Sequence, residues 1–166
     1  MNAAANRRER YRAVRGRIDT LLEGETDWIA SLATIVCELH NEFSHYDWTG
    51  FYRVVSKEQL VIGPYQGSHG CLRIPFSRGV CGAAARERAT QRVDQVAARS
   101  DHIACSSSTQ SEIVVPVLSP AGEVLAVLDV DSDREAAFDA VDQEELEAIC
   151  QALGERHPAG ELGRVS

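Results

Sequence analysis

Three of the five cysteines, Cys71, Cys81 and Cys105, fall within the stretch from Gly70 to Pro116, each beside glycine or small residues. His102 stands just before Ile-Ala-Cys105, and Glu112 opens an apolar run. A thiolate is a strong nucleophile, and a second thiol can condense with the sulfenic acid left when oxygen is transferred to the first. These residues therefore point to a soluble thiol-dependent reductase acting on a small polar molecule. Two rival readings use the same side chains. The thiols could be packed structural residues, or Cys71, Cys81, Cys105 and His102 could form a Cys3His zinc site. No Cys-x2-Cys pair marks a structural zinc site or a thioredoxin-type motif.

Carboxylates supply the second constellation. Asp129 and Asp131 flank Val130 in the run EVLAVLDVD, so the period of two in a strand sends both side chains to one face. If that strand pairs with EIVVPVL, Glu112 joins them. Three carboxylates in one pocket suit an ammonium group and can deliver a proton to a poorly leaving oxygen. The plain alternative is three solvated strand-end residues. The first reading carries a tension, because clustered negative charge raises the pKa of a nearby thiol. Arg73, His102 or a helix N-terminus would have to offset it.

The elements that must position these groups follow from patterning. An arginine-rich segment, Arg7 to Leu22, has apolar residues at helical spacing, with Tyr11, Val14 and Ile18 on one side. Its basic residues read as a solvated helix face or as an anion-binding arm. A second helix carries Trp28, Leu32, Ile35, Val36, Leu39 and Phe43, with Thr26 or Asp27 as its N-cap. Cys37 beside this stripe reads as a small packed residue, and so does Cys150 on the last helix. WTGFYRVV and QLVIGPY form a hairpin, CLRIP is extended, and Gly79-Val-Cys-Gly leads into a short helix with Cys81 near its N-terminus. Unsatisfied backbone N–H groups there favour a thiolate. Thr90 to Val93 is a short strand, residues 94–110 form a functional loop, and a second hairpin precedes a helix capped by Asp139. This order gives an α+β domain with a central antiparallel sheet flanked by helices.

Composition narrows the function class. The chain has 166 residues, 44% of them hydrophobic and 25% charged, which suits one packed domain. A formal charge of −8 argues against a nucleic-acid surface. No segment approaches the ~20 apolar residues of a membrane span, and none resembles a signal peptide. The expected address is the cytoplasm, where a disulfide is more often catalytic than structural.

Taken in order, WTGFY at 48–52, the C-x-RIPF-x-RGVCG run at 71–82, HIAC at 102–105, SEIVVP at 111–116 and LDVDS at 128–132 closely resemble the free methionine-(R)-sulfoxide reductase family, whose members are single GAF domains. The resemblance implies a GAF-like domain over 26–153, an arginine-rich helical extension at 1–25 and a disordered tail at 154–166. It implies reduction of free methionine-(R)-sulfoxide, with thioredoxin as reductant and no metal or organic cofactor. By the same resemblance, Cys105 is the nucleophile, Cys71 the resolving thiol, and Cys81 a third family cysteine that serves as nucleophile or accessory. Glu112, Asp129 and Asp131 would line the substrate pocket, with Trp48 and Tyr52 as its aromatic edge. Family members are commonly dimers, so a homodimer is the expected assembly. The chain departs from the family pattern at Ser77, Gln95, Ser100, Asp101 and Ser106, which bears on loop geometry. A ligand-sensing GAF module without catalysis is the alternative.

Overall fold

The computed structural model describes residues 3–100 and 107–160. Its elements are α1 (Ala3–Leu21), α2 (Trp28–Glu42), β1 (Trp48–Ser56), β2 (Gln59–Gln66), β3 (Arg73–Pro75), α3 (Gly79–Glu87), β4 (Gln91–Val93), β5 (Ser111–Leu118), β6 (Val124–Ser132) and α4 (Ala140–Arg156), with a short 3-10 turn at Val96–Ala98. The strands form one sheet in the order β3-β2-β1-β6-β5-β4, antiparallel throughout. The expected α+β class with a central antiparallel sheet is what the chain adopts.

Alternation along the strands divides the interior in two. Phe51, Ile113, Val115, Val117, Ala126, Leu128 and Val130 face α1, α2 and α4 in the larger core. The intervening positions Trp48, Tyr52, Val114 and Val127 face the other way, with Val80, Cys81 and Ala84 of α3 against them. Because β5 and β6 are apolar at nearly every position, both faces are covered. The carboxylates of β6 then have to lie on the smaller face, under α3.

Helix α1 belongs to the larger core: Tyr11, Val14, Ile18 and Leu22 are buried with α2 and α4. Its arginines meet acids on those two helices. Arg8 and Arg15 pair with Glu145 of α4, while Arg10 and Arg17 pair with Glu42 of α2. Exposed pairs of this kind add little stability and mainly fix orientation. Arg7 is different, since its Nη1 lies 2.6 Å from Oδ2 of Asp142, which is fully buried. The hydroxyl of Tyr11 donates to Oδ1 of Asp142 at 2.8 Å and also meets the hydroxyl of Tyr46. Asp142 completes a capping box with Asp139 at the start of α4. The arginine-rich face is therefore matched to carboxylates within the fold.

Two expectations need correction. Cys37 is exposed, with Asn41 Nδ2 3.4 Å from its sulfur, because it sits one position beyond Val36 and the helical turn carries it off the buried stripe. The C-terminal tail also begins later than Gly154. Helix α4 continues to Arg156, and His157 is buried with Nε2 2.8 Å from the Ser31 hydroxyl. Gly154 punctuates the sequence for a packing reason. A Cβ there would meet the Leu118 carbonyl oxygen at 2.0 Å, so α4 can approach β5 only with glycine at this position. Gly154→Ala is expected to destabilise the protein by about 1–3 kcal/mol, the usual cost of overpacking. A denaturant midpoint equal to that of the wild type would contradict this.

Candidate active site

The site is built on three adjacent strands, β1, β6 and β5. In their register, Asp131 lies opposite Glu112 on one side and Trp48 on the other, while Asp129 lies opposite Val114 and Gly50. Glu112 and Asp129 are buried and Asp131 is half-buried. One carboxylate oxygen from each falls within 4.8 Å of the others. The alternation in the sequence thus places all three acids together on the face covered by α3.

Such a cluster is costly without a cation. Burial, then the charge of Glu112, pushes the Asp129 carboxyl well above the usual carboxylate range. Asp131 is raised by burial, then by Asp129 and Glu112. Oδ1 of Asp129 is buried with no hydrogen-bond partner among the described residues, and leaving a buried polar atom unsatisfied costs about 1–3 kcal/mol or more. The arrangement could hold a small cation, either an ammonium group or a metal ion. A hard metal takes six or more oxygen ligands, so three carboxylates would form only part of its shell.

A stability measurement can detect this strain. A carboxyl whose folded pKa lies above its unfolded value of about 4 stabilises the fold below that pH, and the contribution is lost as pH rises through the folded pKa. Glu42 acts with the opposite sign, because hydrogen bonds from Arg10 and Arg17 hold it low. The informative quantity is therefore the stability of Asp129→Asn minus that of the wild type. This difference is expected to grow as pH rises from about 4 towards neutrality. A difference independent of pH would contradict the account.

Cys81 is the third residue of α3, as the glycine-flanked motif suggests. Gly82 lets that helix approach β3, since a Cβ there would sit 2.7 Å from the Pro75 carbonyl oxygen. The thiol is buried beside Asp129. Burial raises its pKa well above the normal thiol value, followed by the charges of Asp129, Glu112 and Asp131. A helix N-terminus contributes only about 0.3–1 kcal/mol towards an anion. The expectation that this position favours a thiolate is therefore overturned by its surroundings, and Cys81 is held as a neutral thiol.

The two residues expected to form an aromatic edge are neighbours. Trp48 and Tyr52 stack with ring centroids 5.8 Å apart, and the Trp48 indole N–H donates to the Ser68 carbonyl at 2.9 Å. Tyr65 stacks on the outer side of Trp48 at 5.4 Å, a neighbour that sequence reasoning did not single out. Its only sequence signal is an aromatic residue at the end of the strand that pairs with WTGFY. The Tyr52 hydroxyl is hydrogen-bonded to the backbone of Cys71, and burial raises its pKa. Cys71 is disulfide-bonded, while Cys37, Cys81 and Cys150 are free thiols. A disulfide sulfur is not a thiolate ligand, which weighs against the Cys3His zinc reading. Cys105 and His102 lie outside the described residues.

A family profile described as GAF domain matches residues 29–155. The free methionine-R-sulfoxide reductase of Escherichia coli is 35% identical over 148 residues, 89% of this chain and 92% of that protein. The Saccharomyces cerevisiae enzyme of the same name is 37% identical over 139 residues, 80% of this chain and 77% of its own. The chain belongs to the free methionine-R-sulfoxide reductase family of GAF domains. A solved member of the family, the Neisseria meningitidis enzyme in complex with its substrate, superposes with a TM-score of 0.87 at 41% identity, covering 98% of this chain and 95% of that one. Its extent is that of nearly the whole chain, so α1 has a counterpart within the superposed region.

Proposed function

We propose that this chain reduces free methionine-R-sulfoxide to methionine, with Cys105 as nucleophile and Cys71 as resolving thiol. The observation that carries the reading is the clustered trio Glu112, Asp129 and Asp131, two of them buried and one half-buried, in a chain of this family. The trio holds the ammonium group and the sulfoxide oxygen of the free amino acid, and the Trp48–Tyr52 edge covers its methyl group and sulfur. The Cys105 thiolate attacks the sulfoxide sulfur. A carboxyl with a raised pKa, Asp129 in this proposal, donates a proton to the oxygen. Oxygen ends on Cys105 as a sulfenic acid and methionine departs with its sulfur reduced by two electrons.

The Cys71 thiol then condenses with the sulfenic acid, releasing water and forming a disulfide. That Cys71 is disulfide-bonded supports its part in this step. Thioredoxin returns both sulfurs to thiols, which suits a reducing cytoplasm. Cys81, buried and neutral, serves as an accessory thiol beside Asp129. A peptide-bound sulfoxide lacks the free ammonium group that the carboxylates require.

Mixing the reduced chain with free methionine-R-sulfoxide and no reductant tests the cycle. Stoichiometric methionine and a matching loss of thiols are expected. Sulfoxide that binds without methionine release would instead make the chain a sensing module.

A further inference from the structure

The disulfide-bonded Cys71 is followed by the most exposed large apolar side chain among the described residues, Leu72 at 72%. Single exposed leucines are common and mean little alone. This one stands apart because it is covalently adjacent to a disulfide and sits where the sheet ends. β3 is an edge strand, paired only with β2 among the described residues. The Leu72 carbonyl accepts from Ile62 N–H at 3.1 Å and Phe76 N–H donates to Glu58 O at 2.9 Å, so both turn their backbone towards β2. By alternation, Arg73 between them turns its N–H and C=O to the open edge.

The inner side of the segment is anchored. Cys71 packs against the smaller core, its backbone hydrogen-bonded to Tyr52, and Ile74 is buried. The segment thus offers a fixed sulfur, a protruding leucine and an unpaired strand edge at one place. That combination fits a protein that forms a transient covalent bond at the sulfur, buries an apolar side chain and adds backbone hydrogen bonds along an edge.

Resting on the function proposed above, we propose that Leu72 and the outer edge of β3 are the docking surface for a dithiol protein reductant, which attacks the Cys71 sulfur. One reductant thiolate bonds to Cys71 Sγ, the intramolecular S–S bond breaks, and its electron pair leaves on the Cys105 sulfur, which takes up a proton. The second reductant thiol then attacks the first reductant sulfur and releases Cys71 as a thiol. Two electrons and two protons pass to the enzyme, and the reductant leaves as a disulfide.

The test compares Leu72→Asp and Leu72→Ala with the wild-type full chain, using thioredoxin or dithiothreitol as the electron donor. Losing one apolar anchor is expected to raise KM for thioredoxin by about tenfold or more, with dithiothreitol-supported turnover unchanged. Thioredoxin whose second active-site cysteine is replaced by serine should become trapped on Cys71, with less trapping on Leu72→Asp. An unchanged KM for thioredoxin, a parallel fall with dithiothreitol, or a trapped bond mapped to Cys105 would each overturn the inference. A wild type that turns over with dithiothreitol but not thioredoxin would also overturn it. Failure of the wild type with both donors would instead remove the reductase reading beneath it.

Discussion

Cys105→Ser is expected to lower the kcat for free methionine-R-sulfoxide by about 10³-fold or more, while binding of the sulfoxide stays near the wild-type level. The size follows from losing the proposed nucleophile, since removing an enzyme's nucleophile commonly costs several orders of magnitude. The competing nucleophile is Cys81. Its thiol is buried beside three carboxylates that hold it in the neutral form, so it attacks poorly. Cys81→Ser is accordingly expected to keep the first turnover. Cys71→Ser should also complete one turnover and then stall with Cys105 oxidised. Rapid-quench measurement of methionine formed in the first turnover separates Cys105→Ser from the other two, and methionine formed in later turnovers separates Cys71→Ser from Cys81→Ser. Loss of that turnover in Cys81→Ser but not in Cys105→Ser would reverse the assignment.

Asp129→Asn should lower kcat/KM by about 10²–10⁴-fold, the usual worth of a positioned general acid. The substitution keeps shape and removes both charge and the transferable proton. It also removes one member of a repulsive cluster, so the unliganded variant should be at least as stable as the wild type near neutral pH. Lost activity together with retained or increased stability is a signature that a merely structural aspartate would not give. Replacing a purely structural buried acid would lower the melting temperature and leave the residual enzyme with normal kinetic constants.

Much of this site could be read from the sequence because strand geometry is simple. The alternation Leu-Asp-Val-Asp fixes Asp129 and Asp131 on one face, and two neighbouring apolar runs joined by a short turn bring Glu112 across from Asp131. The same reasoning gave the six-strand sheet its hairpins. What it could not give was anything decided by distant packing. Cys37 looks half-apolar in sequence, yet one residue of helical rotation leaves it in solvent. Gly154 looks like a helix terminator, yet it is a contact with Leu118 inside a helix that goes on to Arg156. Arg7, Arg8 and Arg15 of α1 gave no hint of their partners, because Asp142, Glu144 and Glu145 lie more than a hundred residues away. Local placement of Cys81 at a helix start was legible, but its protonation depends on acids from two other strands.

In the proposed function the carboxylate pocket accepts the free amino acid and the thiols reduce its R epimer. The direct measurement supplies the chain and a thioredoxin system with free methionine-R-sulfoxide, free methionine-S-sulfoxide and a peptide-bound R-sulfoxide, and follows reduction of each. Rapid reduction of the free R epimer alone is the predicted result. Comparable reduction of the peptide-bound sulfoxide, preference for the S epimer, or no reduction of any substrate would contradict it.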